Sequence, residues 1–135
     1  MVTFRAQCSA TPGCPMAEPI SVLIVEDEPL IRMNIVAVFE AEGFKVHEAP
    51  GAAAALALLY SHVAVDAMFT DVDLDGGMDG LTLAAAVRDE WPDIKIVVAS
   101  GVRRVSPREV PDGKFFVKPY NPDTIVATIR ELVEA

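Results

Sequence analysis

Residues 20–29 read ISVLIVEDEP. A strand-sized apolar run, Ile20–Val25, ends abruptly in three acids, Glu26, Asp27 and Glu28, and Pro29 follows. Proline suits the first turn of a helix, where its missing N–H costs nothing. The segment therefore predicts a buried strand that carries carboxylates at its carboxyl end and passes directly into a helix. That helix has Ile31, Ile35, Val38 and Phe39 spaced for one face and stops at Gly43.

The same alternation continues outward. Further strand-like runs are Phe44–Glu48, Ala64–Thr70, Ile94–Ser100 and Lys114–Val117. A second, alanine-rich helix is expected to turn Leu56, Leu59, Tyr60 and Val63 inward. A third follows Gly80 with Leu81, Ala84, Val87 and Trp91 on one face and ends at Pro92. In the last, Asn121 suits an N-cap and Pro122 the first helical position, with Ile125, Ile129 and Leu132 buried. Strands alternating with helices imply an α/β fold with a parallel sheet covered on both faces. The crossover Gly101–Gly113 is short and interrupted by Pro107 and Pro111, so a short or degenerate fourth helix is expected there. Residues 1–19, rich in small and polar residues, read as a disordered leader, and 20–135 as the folded domain.

Length and composition fit one globular domain with a full core. The formal charge of −9 falls entirely on residues 20–135, because Arg5 and Glu18 cancel. That balance excludes a sequence-independent grip on nucleic acid or on an anionic membrane, which requires a basic surface. No apolar run reaches the length of a membrane span, and the leader lacks a signal-peptide core, so a cytoplasmic location is expected. Cys8 and Cys14 lie in the leader and read as plain thiols.

In an open parallel sheet, ligands sit outside the carboxyl ends of the strands. Strand one ends in Glu26-Asp27-Glu28, strand three in Thr70-Asp71, strand four in Ser100-Gly101 and strand five in Lys118-Pro119. Strand two ends in Glu48-Ala49, which offers little chemistry. Acids, a hydroxyl and an amine thus converge on one rim. This set, in this order and at these strand ends, resembles the receiver domain of two-component response regulators, over essentially all of residues 20–135. The resemblance implies a doubly wound, flavodoxin-like sheet of order 2-1-3-4-5. It also implies Asp71 as phospho-acceptor, Ser100 as the phosphate-binding switch, Lys118 as partner of Asp71 and of the phosphoryl group, and Phe115 as the aromatic switch. The Lys118–Pro119 peptide is expected to be cis. Asp73 and Val102, each two residues beyond a functional position, are expected to tune phosphate loss.

A carboxylate can attack phosphorus to form an acyl phosphate, but anion meets anion, so a divalent cation must neutralise the approach. Mg²⁺ (or Mn²⁺) suits an oxygen-only set: Asp27 and Asp71 directly, the main-chain carbonyl of Asp73, and Glu26 directly or through water. The implied partners are a histidine kinase or histidine phosphotransfer protein and a downstream protein. With no residues after the last helix, a stand-alone regulator, relay intermediate or phosphate sink is expected, signalling rather than enzymatic. The shortened crossover predicts a changed or absent version of the family's common dimer face.

Rival readings fit less well. The loop TDVDLDGGMDG, residues 70–80, partly matches a calcium-binding pattern, but Thr82 stands where a bidentate Glu is required and a strand precedes the loop. A haloacid-dehalogenase-like phosphotransferase needs more chain. Asp75 reads as a turn residue and Asp79 as a helix N-cap. A small metal-dependent phosphatase and a phosphate-independent pseudo-receiver are the remaining alternatives.

Overall fold

The computed structural model describes residues 19–74, 78–101 and 114–134. Five parallel strands form one sheet in the order β2-β1-β3-β4-β5: β1 Ser21–Val25, β2 Lys45–Ala49, β3 Ala67–Asp71, β4 Lys95–Ser100 and β5 Lys114–Val117. Among the described residues four helices accompany them: α1 Pro29–Ala41, α2 Ala52–Tyr60, α3 Gly80–Glu90 and α4 Pro122–Glu134. This is the expected doubly wound α/β architecture. The leader up to residue 18, Asp75, Val102 and the proline-marked crossover 102–113 lie outside the described residues.

Side chains alternate across a strand, and here the alternation divides the core in two. Val22 and Ile24 of β1, Ala67 and Phe69 of β3, and Val97 and Ala99 of β4 face α1 and α4, meeting Ile35, Phe39, Ile125 and Ile129. Leu23, Val25, Met68, Ile96 and Val98 point the other way and pack under α2 and α3. The three central strands are buried along nearly their whole length, as a parallel sheet covered on both faces requires.

Helix ends follow local chemistry. The Glu28 side chain accepts a hydrogen bond from the Leu30 amide at 2.8 Å, ahead of Pro29 in the first turn. Gly43, at φ +90°, ends the α1 exit in a conformation that glycine adopts without strain. Asp79 caps α3 by accepting from the Thr82 amide at 2.8 Å. Asn121 accepts from the Asp123 amide at 2.9 Å before Pro122 opens α4.

Some expected core positions lie elsewhere. Ile31 is 41% exposed and Tyr60 59% exposed, whereas Ile35 is 2% exposed. Val63 and Leu132 are half-buried. In α2 the contact with the sheet is made mainly by Ala52, Ala55 and Leu59, because small side chains let the helix approach closely. Tyr60 instead packs edge-on against Trp91, with ring centroids 4.9 Å apart.

The contrast between two isoleucines on one helix gives a direct test. Ile35→Ala should cost about 2–5 kcal/mol of unfolding free energy, and Ile31→Ala should stay within roughly 0.5–1 kcal/mol of the parent, both read from urea denaturation.

Candidate functional site

The register of the sheet assembles the site. Val25, the last residue of β1, lies opposite Ala49 of β2 and Thr70 of β3. Asp71 lies opposite Ala99, and Ser100 opposite Val117. Because all strands run the same way, the residues that end or follow them emerge at one rim. Backbone bonds extend the ladder past the strand ends: the Glu26 amide donates to the Ala49 carbonyl at 3.1 Å, Val72 to Ala99 at 2.9 Å and Lys118 to Ser100 at 3.0 Å. The functional side chains therefore stand on hydrogen-bonded backbone.

Carboxylate oxygens of Glu26, Asp27 and Asp71 all lie within 4.8 Å of one another. At an effective dielectric constant near 20, such a separation costs about 3–4 kcal/mol per ionised pair. Two features offset the crowding. The Lys118 ammonium donates to Asp71 Oδ2 at 3.0 Å, and Asp71 is almost fully buried. Glu26 is also buried, and its carboxyl is pushed up to about 7, first by burial, then by the charge on Asp71 and by side-chain hydrogen bonding with the neighbouring Asp27, against the Glu28 amide and Lys118. One Glu26 oxygen, Oε2, accepts from the Glu28 amide at 3.0 Å. The other, Oε1, is buried without a hydrogen-bond partner among the described residues. A buried acceptor left unpaired beside two further carboxylates fits a hard, oxygen-seeking cation.

The remaining predicted residues surround this cluster. The Asp73 amide donates to Asp71 Oδ1 at 3.3 Å. The Ser100 hydroxyl is buried and donates to Asp73 Oδ2 at 3.5 Å. Lys118 and Pro119 are joined by a cis peptide bond, as expected. Phe115 is half-buried and packs with the core layer that contains Val98, its cross-strand neighbour.

Comparison with known proteins agrees with this geometry. Residues 22–130 match the response regulator receiver domain. The chain belongs to that family. The chain is 35% identical over 119 residues to the sensor kinase CckA of Brucella abortus, covering 84% of this chain and 12% of the kinase. Among solved structures, a response regulator receiver protein from Sinorhizobium medicae superposes with a TM-score of 0.81 at 25% identity, covering 87% of this chain and 97% of the other. TrrA from Thermotoga maritima, solved in complex with Mg²⁺-BeF, gives 0.73 at 25% identity over 84% and 98% of the two chains. Among the described residues of this receiver, no helix is long and apolar enough to cross a membrane.

Three residues of the receiver's rim were not singled out by sequence. Glu48, at the strand end judged poor in chemistry, accepts from Arg32 Nε at 3.0 Å, and Arg32 also reaches the Glu26 carbonyl. No linear signal links residues sixteen apart on different elements. Gly80 is the third. A Cβ there would lie 2.0 Å from the Asp71 carbonyl oxygen, a backbone atom that cannot swing aside. Its own amide donates to the Val72 carbonyl at 2.8 Å. The only sequence signal was a glycine directly after the N-cap.

Gly80→Ala should therefore destabilise the receiver by roughly 1–3 kcal/mol in urea unfolding, although alanine is the better helix former. A pH test follows from Glu26. An acid whose folded pKa lies above its ordinary 4.5 binds more protons folded than unfolded between that value and about 7. In metal-free protein its contribution to stability is thus full below about 4.5 and is lost as pH rises through about 7. His47, held below its ordinary value by burial and then by Lys45, works in the opposite direction, so Glu26→Gln is the proper reference. The Tm of the parent minus that of Glu26→Gln should fall as pH rises across this window; a flat difference would contradict it.

Proposed function

We propose that this receiver accepts a phosphoryl group on Asp71 from a phosphohistidine on a histidine kinase or histidine phosphotransfer protein, with Mg²⁺ bound by Glu26, Asp27 and Asp71, and that the modified site switches protein binding or passes the group onward. The observation that carries the reading is a nearly buried Asp71 held between the Lys118 ammonium at 3.0 Å and two further carboxylates, one with an oxygen unpartnered among the described residues. A structural ion pair needs no such additional acids.

A bound divalent cation supplies the positive charge that lets an anionic carboxylate approach an anionic phosphoryl group. The chain supplies the rest. An Asp71 oxygen forms the new O–P bond as the P–N bond breaks and the electron pair leaves with the histidine nitrogen. Lys118 is close enough to follow the charge from the Asp71 carboxylate to a phosphoryl oxygen. The Asp73 amide steadies Asp71 Oδ1 throughout. Ser100 turns its hydroxyl from Asp73 to a phosphoryl oxygen, and Phe115 moves in the space this opens behind it. Asp73 contributes its main-chain carbonyl to the cation, and its carboxylate competes for the Ser100 hydroxyl. The similarity to TrrA, solved with Mg²⁺-BeF, supports this chemistry.

Partner docking has a surface to use. Directly after the acids, α1 exposes Leu30 at 75% and Met33 at 62%, with Ile31 beside them. Apolar side chains at the rim of a charged site suit a partner that brings its phosphohistidine on an apolar-faced helix.

Incubation with a small-molecule phosphodonor and Mg²⁺ should add one phosphoryl group per chain by intact mass. The adduct should be absent without Mg²⁺ and in Asp71→Asn. An adduct that survives Asp71→Asn would refute the assignment, and continued release of phosphate over many turnovers would point to a phosphatase instead.

A further inference from the structure

The rim contains a cation that the proposed chemistry does not use. Arg32, on the first turns of α1, donates through Nη1 to the Glu26 carbonyl at 2.7 Å and through Nε to Glu48 Oε1 at 3.0 Å. The Glu26 carbonyl belongs to the peptide bond that joins Glu26 to Asp27. Those two residues carry two of the three clustered carboxylates. Holding that one peptide plane anchors both flanking Cα atoms, so ψ of Glu26 and φ of Asp27 alone are left to aim the two side chains.

The two bonds differ in weight. Glu48 is half exposed, and an ion pair there contributes about 0–1 kcal/mol by itself. The bond to the carbonyl is short, charge-assisted and largely shielded, with Arg32 only 18% exposed. Glu48 therefore acts on Arg32, holding the guanidinium in place and cancelling much of its charge. Without that cancellation a cation beside three acids would oppose the binding of a second cation. β2, which gives no group to the reaction, thereby acts on the site through α1.

We infer that Arg32 is a positioning residue for the cation site: it clamps the Glu26–Asp27 peptide, and Glu48 neutralises and aims it. The inference rests on the proposed reading of the acids as Mg²⁺ ligands. It makes a prediction whose sign separates positioning from charge. If Arg32 acted only as a nearby positive charge, its removal would tighten Mg²⁺ binding. As a clamp, its removal must weaken it.

The test is calorimetric titration of the full chain with Mg²⁺ at about pH 8, above the Glu26 pKa, for the parent, Arg32→Ala, Arg32→Lys and Glu48→Gln. Arg32→Ala should lose roughly tenfold in affinity, the low end for residues that orient metal ligands. Arg32→Lys keeps one donor and should recover part of the loss. Glu48→Gln should weaken binding several-fold while its metal-free Tm stays near that of the parent. The double variant Arg32→Ala/Glu48→Gln should bind no more weakly than Arg32→Ala alone, since both act through one contact. Equal or tighter binding by Arg32→Ala overturns the inference while leaving the reading of the acids intact. If Arg32→Ala does not fold, unchanged affinity in Glu48→Gln overturns it. A parent chain that binds no Mg²⁺ overturns the reading of the site and this inference together.

Discussion

Three carboxylates converge where water is scarce, and the surroundings must make that arrangement tolerable. Glu26, Asp27 and Asp71 lie within 4.8 Å of one another. Left alone, they would push the ends of β1 and β3 apart. The sheet resists this because both strands are central and buried on both faces, with backbone bonds that run one residue beyond the strands. The remaining repulsion is divided between Lys118, which pairs with Asp71, and the raised proton affinity of Glu26. A cation held by these three acids, as proposed above, would relieve the same repulsion.

The two-layered core explains why such repulsion is affordable. Each face of the sheet has its own apolar cluster, closed by α1 and α4 on one side and by α2 and α3 on the other. The rim lies at the end of both layers and interrupts neither. Charge at the carboxyl ends therefore costs little packing, and the apolar stability of the chain is largely independent of its chemistry.

Much of this was legible in the sequence, for physical reasons. Strands buried on both faces must be apolar runs, so ISVLIV and IKIVVA identified themselves. Pro29, Asp79 and Asn121-Pro122 marked helix starts because unpaired amides there demand those residues. Once a parallel sheet was inferred, the residues after each strand had to share a rim, which brought Glu26, Asp27, Asp71, Ser100 and Lys118 together. Legibility failed where the answer depended on an approach between elements. Ile31 and Ile35 are equally apolar, yet only Ile35 is covered, an outcome set by how α1 lies on the sheet. Tyr60 found Trp91 rather than the core. Ala52 and Ala55 of α2, which no apolar pattern singled out, join Leu59 in its contact surface. The Arg32–Glu48 pair and the contact of Gly80 with Asp71 are long-range facts with no local signature.

The edge strand β5 separates two adjacent aromatics. Phe115 joins the layer beneath α2 and α3, and Phe116 joins the layer beneath α1 and α4. The next two residues, Val117 and Lys118, lead directly to the charged rim. A small roll of this strand about its own axis would lift one ring from its layer as it pressed the other deeper. β5 thus resembles a rocker with a foot in each half of the interior and its handle at the ammonium group. Any shift of Lys118 carried along this strand would reach the two faces of the molecule as opposite changes of packing.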